Sequence, residues 1–161
     1  MGKPEHLTHL NQRELVRKTH PRIAFRGKLD SLESLLLLYQ KTPGAPVAAL
    51  EEMLKLMRSL MRADVLGEAV AEPHLMGMSE GEIRERSHHP QKYYGIGFFV
   101  PSHLDSLVLL QLNHLRASIR ETELLSYHAF PMRTDMHRAL NRLSSLCWLL
   151  CLEEKQHGST H

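Results

Sequence analysis

The sequence predicts an all-α domain, an antiparallel bundle of four to five helices. Three observations point there: four long segments repeat apolar residues at helical steps, breaker clusters separate them, and no segment alternates convincingly as a strand. Connected helices that each carry one apolar stripe must bury those stripes against each other, which gives a bundle. The 161 residues are long enough for one domain with a real core, expected over 1–161, with residues 1–6 and 156–161 as disordered tails.

The first helix is expected over 21–41. Pro21 suits its first turn, and Phe25, Leu29, Leu32, Leu36 and Tyr39 form its stripe. Asp30 lies beside that stripe, as a solvated edge residue or as half of a pair completed from elsewhere. The breakers of "TPGAP" end the helix. The second helix starts near Val47 with Val47, Leu50, Leu54, Met57 and Met61 inward; Met53, Met57 and Met61 read as core packing. At its end Arg62, Asp64 and Glu68 crowd a junction that a cap at Gly67 largely explains. Residues 72–102 read as irregular, apart from a short helix opened by Ser79 with Glu82 at capping-box spacing. His88 and His89 are expected in a solvated loop there. The third helix is predicted over 103–128, with Leu104, Leu107, Val108, Leu112, Leu115 and Ile119 inward. The last is predicted over 133–155, with Met136, Leu140, Leu143, Cys147 and Leu150 inward. "LTHLNQRELVRKTH" at the start reads as a short helix or a loop.

Composition narrows the function classes. A net charge of +2 with acids and bases interleaved argues against nucleic-acid binding, although 12 histidines would make the chain far more cationic in acid. No apolar run reaches the roughly 18–20 residues of a membrane span. The start lacks a hydrophobic signal core, and His6 stands where a myristoylation signal needs Ser or Thr. Cys147 and Cys151, four apart, read as reduced core residues of a cytoplasmic protein, with a two-thiol site as the lesser alternative. No HxxxH or paired ExxH occurs on the long helices, and there is no Walker loop, GxGxxG or GxSxG. No metal site is expected.

The third helix carries the best candidates. Arg116, Arg120 and Glu123 at i, i+4 and i+7 share one face next to the inward stripe. Two guanidiniums a turn apart need an anion or carboxylates. Glu123 can hold Arg120, which leaves Arg116 needing a partner from outside, for which Asp30 is the candidate. A surface helix laced with salt bridges is the plainer reading. On the last helix Asn141 and Arg142 interrupt the apolar pattern, and an interior Asn is unfavourable unless its amide is used; the alternative is an exposed Asn–Arg pair.

"HPRIAFRGKLDSLE", "LMRADVLGEAV", "LRASIRETEL" and "ALNRLSSL", in this order over about residues 5–155, resemble the ATP:cob(I)alamin adenosyltransferases, above all the ethanolamine-utilisation (EutT) branch. The opening "LTHLNQRELVRKTHPR" also looks like that branch. The resemblance implies the helical bundle of that family and transfer of the 5′-deoxyadenosyl group of ATP to the cobalt of cob(I)alamin, in support of ethanolamine breakdown. The more widespread PduO-type branch has "PR-x-x-x-x-G-x-x-D" on its first helix, matched here by Pro21, Arg22, Gly27 and Asp30. Its "R-x-x-x-R-R-x-E" corresponds to Arg116, Arg120 and Glu123, with Glu121 replacing the second adjacent Arg, and its "LNRLSD" to residues 140–145.

Carried over residue by residue, Asp30 pairs with Arg116 of a neighbouring chain, while Arg120 and Asn141 grip ATP. Phe98, or Phe99 beside it in "GFFVPSH", would displace the lower ligand of cobalamin. The family's glycine-rich phosphate loop is missing, so Thr8, His9 and Lys18 become candidates for the triphosphate. The Cys-rich metal motif that some ethanolamine-type members carry before this region is also missing, so dependence on a metal through those cysteines is not expected. Bound Mg²⁺ is expected with the nucleotide. Further expectations are a homotrimer, or a dimer, with sites at subunit boundaries; a flavin-type reductase as electron donor; and a cytoplasmic location with association to a bacterial microcompartment as an option. The competing functional reading is a non-catalytic bundle that binds cobalamin or a nucleotide as carrier or sensor. A purely structural helical module would bind neither.

Overall fold

The computed structural model describes residues 2–158. Four long helices form its frame: α1 (Pro21–Tyr39), α2 (Val47–Leu66), α5 (Leu107–Ala129) and α6 (Thr134–Gly158). Two shorter helices, α3 (Glu80–His88) and α4 (Pro90–Tyr94), fill the connection between α2 and α5. Two small antiparallel hairpins complete the described elements: β1 (Leu7–His9) with β2 (Leu15–Arg17), and β3 (His74–Leu75) with β4 (Met78–Ser79). The all-α bundle read from the sequence is therefore the architecture found. α5 packs between α1 and α6, α2 lies on α1, and α3 lies on the outer side of α6.

α1 runs antiparallel to α5. Its start meets the end of α5 through an edge-on contact of Phe25 with Phe130, and its end meets the start of α5 where Thr42 donates to Gln111 at 2.8 Å. The stripes explain the packing: Phe25, Leu29, Leu32 and Leu36 face Leu50, Met53, Leu54 and Met57, and all are essentially solvent-free. α6 is buried on most of its circumference, with Met136, Leu140, Leu143, Cys147 and Leu150 inward as expected. Each such side chain contributes roughly 1.5–3 kcal/mol of burial. Cys147 and Cys151 are buried free thiols, and burial pushes the Cys151 thiol up to about 12, so neither is a thiolate at neutral pH.

Several expectations need correction. The N-terminal segment is neither helix nor loop but a hairpin, in register Leu7↔Arg17 and Thr8↔Val16. α5 begins at Leu107, four residues later than the periodicity suggested. Asp105 accepts the Ser102 N–H at 2.8 Å, and Ser106 caps the helix by accepting the Leu109 N–H at 3.1 Å. Leu104 falls in this turn and is 84% exposed; Leu107 and Val47, also expected inward, are largely exposed at their helix starts. His88 closes α3 rather than lying in a loop, and Pro90 starts the additional helix α4.

At the junction after α2 the cap at Gly67 forms as expected, but Asp64 is not part of it. Gly67 is left-handed (φ 72°) and ends the helix, and Arg62 pairs with Glu68 at 3.2 Å. Asp64, however, turns inward and is 2% exposed. Its carboxylate holds both Arg22, at 2.6 Å, and Arg26. Arg26 in turn donates to the Leu10 carbonyl at 2.6 Å, clamping the N-terminal hairpin to the bundle.

Candidate active site

α5 and α6, joined by the short turn at 130–133, lie side by side, and the polar positions next to their apolar seams face one cavity. On α5 these are Asn113, Arg116 and Arg120, at i, i+3 and i+7; on α6 they are Asn141, Ser144, Ser145 and Trp148, at i, i+3, i+4 and i+7. The segment after α4 supplies Phe98, Phe99 and Pro101 as the remaining wall, with His88 at the mouth. The cavity holds about 470 Å³ and opens broadly to solvent.

Arg116, Arg120, Asn141, Phe98 and Phe99 thus converge, although they are distant in sequence. Arg116 donates to Asn113 Oδ1 at 3.0 Å. Neither Arg116 nor Arg120 has a carboxylate partner within the chain among the described residues. Glu123 therefore does not hold Arg120. Its Oε1 accepts from Asn141 Nδ2 at 2.9 Å, and its Oε2 from the Tyr127 hydroxyl at 3.3 Å. The neighbouring Lys28 reaches Glu121 instead, at 3.5 Å.

Asn141 is fixed from both ends. Its Oδ1 accepts from Arg142 Nη1 at 2.6 Å, while Arg142 Nε donates to Glu80 Oε1 of α3 at 2.8 Å. Arg142 is buried, so the alternative of an exposed Asn–Arg pair does not hold. The chain Glu80–Arg142–Asn141–Glu123 leaves the Asn141 amide one orientation, because donors and acceptors along it match only that way round. A polar group held in advance loses less entropy when a ligand arrives.

The opposite wall is aromatic. Phe98 stacks on Trp148 with ring centroids 5.8 Å apart and planes 6° from parallel; Phe99 lies tilted on the same indole at 5.2 Å. Phe98 is 72% exposed, whereas Phe99 is half-buried under the Lys155 ammonium. Among the described residues, the Trp148 indole N–H is the one buried side-chain polar group without a partner. Such a donor costs about 1–3 kcal/mol while it stays unpaired. Trp148 is not among the sequence candidates because it lies off the apolar stripe of α6; the signal for it is the second stripe from Asn141 at i+3, i+4 and i+7.

The other site candidates lie elsewhere within one chain. Asp30 is exposed on α1; its backbone carbonyl accepts from the Ser34 hydroxyl, and its carboxylate makes no ion pair among the described residues. Thr8, His9 and Lys18 sit on or beside the N-terminal hairpin and do not line this cavity. No group of three or more His, Cys, Asp or Glu side chains fit to hold a metal occurs among the described residues, and no helix of the structure is long and apolar enough to cross a membrane.

Comparison with known proteins bears on this arrangement. The family model described as cobalamin adenosyltransferase matches residues 2–154. Corrinoid adenosyltransferase EutT of Salmonella typhimurium (strain LT2) is 34% identical over 157 aligned residues, and its counterpart in Escherichia coli (strain K12) is 33% identical over the same length. Each alignment covers 93% of this chain, and the chain spans 59% of the length of each relative. With the family match running from the N-terminal hairpin to the last turns of α6, this chain belongs to the cobalamin adenosyltransferase family.

Proposed function

We propose that this chain transfers the 5′-deoxyadenosyl group of ATP to the cobalt of cob(I)alamin, as part of ethanolamine breakdown. The observation that carries the reading is the pairing within one cavity of two guanidiniums without acids, Arg116 and Arg120, with the aromatic wall of Phe98, Phe99 and Trp148. A polyanionic nucleotide suits the first half, and the flat apolar edge of a corrin suits the second. The names of the relatives supply the reaction class.

In the transfer, the cobalt(I) electron pair attacks C5′ of ATP. The cobalt–carbon bond forms as the C5′–O5′ bond breaks, and the leaving triphosphate keeps that electron pair. The nucleophile is the substrate's own, so the protein's task is alignment and charge stabilisation. Holding C5′ in line with cobalt is worth up to about 7–11 kcal/mol in well-oriented systems. Arg120 and the pre-set Asn141 amide grip the nucleotide, and Arg120 opposes the charge developing on the leaving oxygen. Mg²⁺ arrives on the phosphates of ATP as part of that substrate. Phe98, projecting from its segment, is the wedge that keeps a lower ligand off cobalt, and with Phe99 it excludes water from the reduced metal.

Two parts of the reading cross subunit boundaries. Asp30 is exposed and Arg116 has no acid partner among the described residues of its own chain, so the pair forms between neighbours of a homotrimer. Thr8, His9 and Lys18 lie outside the cavity of their own chain, so any grip they have on ATP is also across that boundary. The protein works in the cytoplasm, with electrons delivered by a flavin-type reductase.

The test is an anaerobic assay with purified protein, MgATP and chemically reduced cobalamin, read by the absorbance change that accompanies a cobalt–carbon bond. Product from wild type and little from Arg120→Ala is the expected result. Binding of either substrate without product would replace the enzyme with a carrier or sensor.

A further inference from the structure

A second cleft, of about 480 Å³, lies against the first, on the side of α6 that faces α3. His88 and Asn141 line both. Its lining carries three guanidiniums, Arg84 of α3 and Arg138 and Arg142 of α6, and no carboxylate. Arg142 is engaged by Glu80 and Asn141, as described. Arg84 and Arg138 are exposed and make no ion pair or side-chain hydrogen bond among the described residues.

Arg84 and Arg138 line the same cleft from two facing helices. Glu80, already bonded to Arg142, is one helical turn from Arg84, and Arg138 is one turn from Arg142 on α6. The Glu80 carboxyl is held below its ordinary value chiefly by that Arg142 hydrogen bond, with the fields of Arg138 and Arg84 adding to it. Two carboxylates border the cleft, Glu80 on Arg142 and Glu123 on Asn141 and Tyr127, against three guanidiniums, which leaves it net cationic. Like charges gathered so closely repel one another unless an anion sits between them.

We infer that this α3–α6 cleft is a polyphosphate subsite, in which Arg84 and Arg138 hold the phosphate chain of the nucleotide whose sugar and transferred carbon lie at Asn141. The inference rests on the proposed adenosyl transfer for the identity of that nucleotide, but the site itself is defined by the arginines. Arg120 stays on the leaving oxygen in the first cavity, and the cleft takes the phosphates beyond it, past the shared Asn141. Guanidinium side chains are suited to the task because their fork geometry matches phosphate oxygens two at a time. The chemistry is shared by the tail of ATP and by the triphosphate released from it.

The experiment is calorimetric titration of the full chain with inorganic tripolyphosphate, for wild type, Arg84→Ala, Arg138→Ala and the double variant. Arg62→Ala, which deletes an equally exposed guanidinium at the far end of α2, is the control. Each deletion in the cleft is expected to weaken tripolyphosphate about tenfold, with Arg62→Ala unchanged. The same variants should raise KM for ATP in the anaerobic assay far more than they lower kcat, separating the tail of ATP from free triphosphate. Wild-type affinity in the double variant, or an equal loss in Arg62→Ala, would overturn the subsite and leave the adenosyltransferase standing. Tripolyphosphate binding that the cleft variants abolish, in a protein that makes no cobalt–carbon bond, would keep the subsite and remove the enzyme.

Discussion

Two groups of arginines in this molecule are built from the same side chain and treated in opposite ways. At the start of α1, Arg22 and Arg26 converge on one carboxylate, Asp64, which is removed from solvent. Along α3, α5 and α6, Arg84, Arg116, Arg120 and Arg138 make no ion pair among the described residues. In the first group the charge is consumed by folding: it joins α1 to α2 and ties down the N-terminal hairpin through Leu10. In the second the charge is not consumed by folding, as the proposed function requires. Neutralisation by a buried partner separates the two groups more sharply than exposure does, because Arg116 is itself half-buried.

The largest effect expected from breaking this contrast is at Asp64. Asp64→Asn keeps the volume and removes the charge, leaving two guanidiniums facing each other over a buried amide. Loss of one partner from a buried pair costs about 3–5 kcal/mol, and urea denaturation should show most of that. A loss below about 1 kcal/mol would mean the cluster is solvated after all. Arg120→Ala should behave in reverse. Stability should change by less than about 0.5 kcal/mol, as for ordinary surface sites. Adenosyl transfer should fall by about 10²–10³, the usual cost of one lost charge-stabilising donor. A large drop in stability would place Arg120 with the structural group.

Between these extremes lies Asp135, an acid that accepts from Arg133, from the Val70 N–H at 2.8 Å and from the Met136 N–H at 2.9 Å. The Arg133 guanidinium above all, with those two amides, holds its carboxyl well below the usual carboxylate range. A group depressed in the folded state contributes stability that is present above its unfolded value, near 4, and is lost as pH falls through the folded one. Wild-type stability should therefore decline below about pH 4. Asp135→Asn should cost about 1.5–3 kcal/mol at pH 7 and flatten the decline. Urea midpoints at pH 7, 4 and 3 for both proteins check the sign; parallel curves would show that other acids carry the loss.

The contrast also shows where the sequence was legible. The four long helices and their stripes could be read because burial repeats over many turns, so one misplaced residue does not spoil the pattern. That Arg116, Arg120 and Asn141 belong to one candidate site could be read because polar residues beside an apolar stripe need a reason. Asp64 could not: its partners lie about forty residues away, and an acid near a helix end is as well explained by the cap beside it. The N-terminal hairpin is not legible because strands of three residues are too short to show alternation. The start of α5 was misplaced because Leu104 fits the helical period, while the Asp105 turn and the Ser106 cap that exclude it are local hydrogen bonds. The cationic cleft between α3 and α6 depends on how two helices pack, and nothing in the spacing of Arg84 and Arg138 announces it.

The smallest expected effect marks the floor of the comparison. Arg62 lies only two residues before Asp64 and has its own acid, Glu68, at 3.2 Å, so proximity alone would assign it to the structural cluster. Burial argues otherwise. The two side chains are 68% and 49% exposed, so water screens the pair and competes for both groups. Exposed pairs of this kind contribute about 0–1 kcal/mol. Arg62→Ala should shift the urea midpoint barely at all, and any shift should vanish in high salt as screening removes the attraction. If Arg62→Ala instead approached the cost of Asp64→Asn, the end of α2 would act as one coupled network. The line between consumed and reserved charge would then have to be drawn by position in the fold rather than by burial.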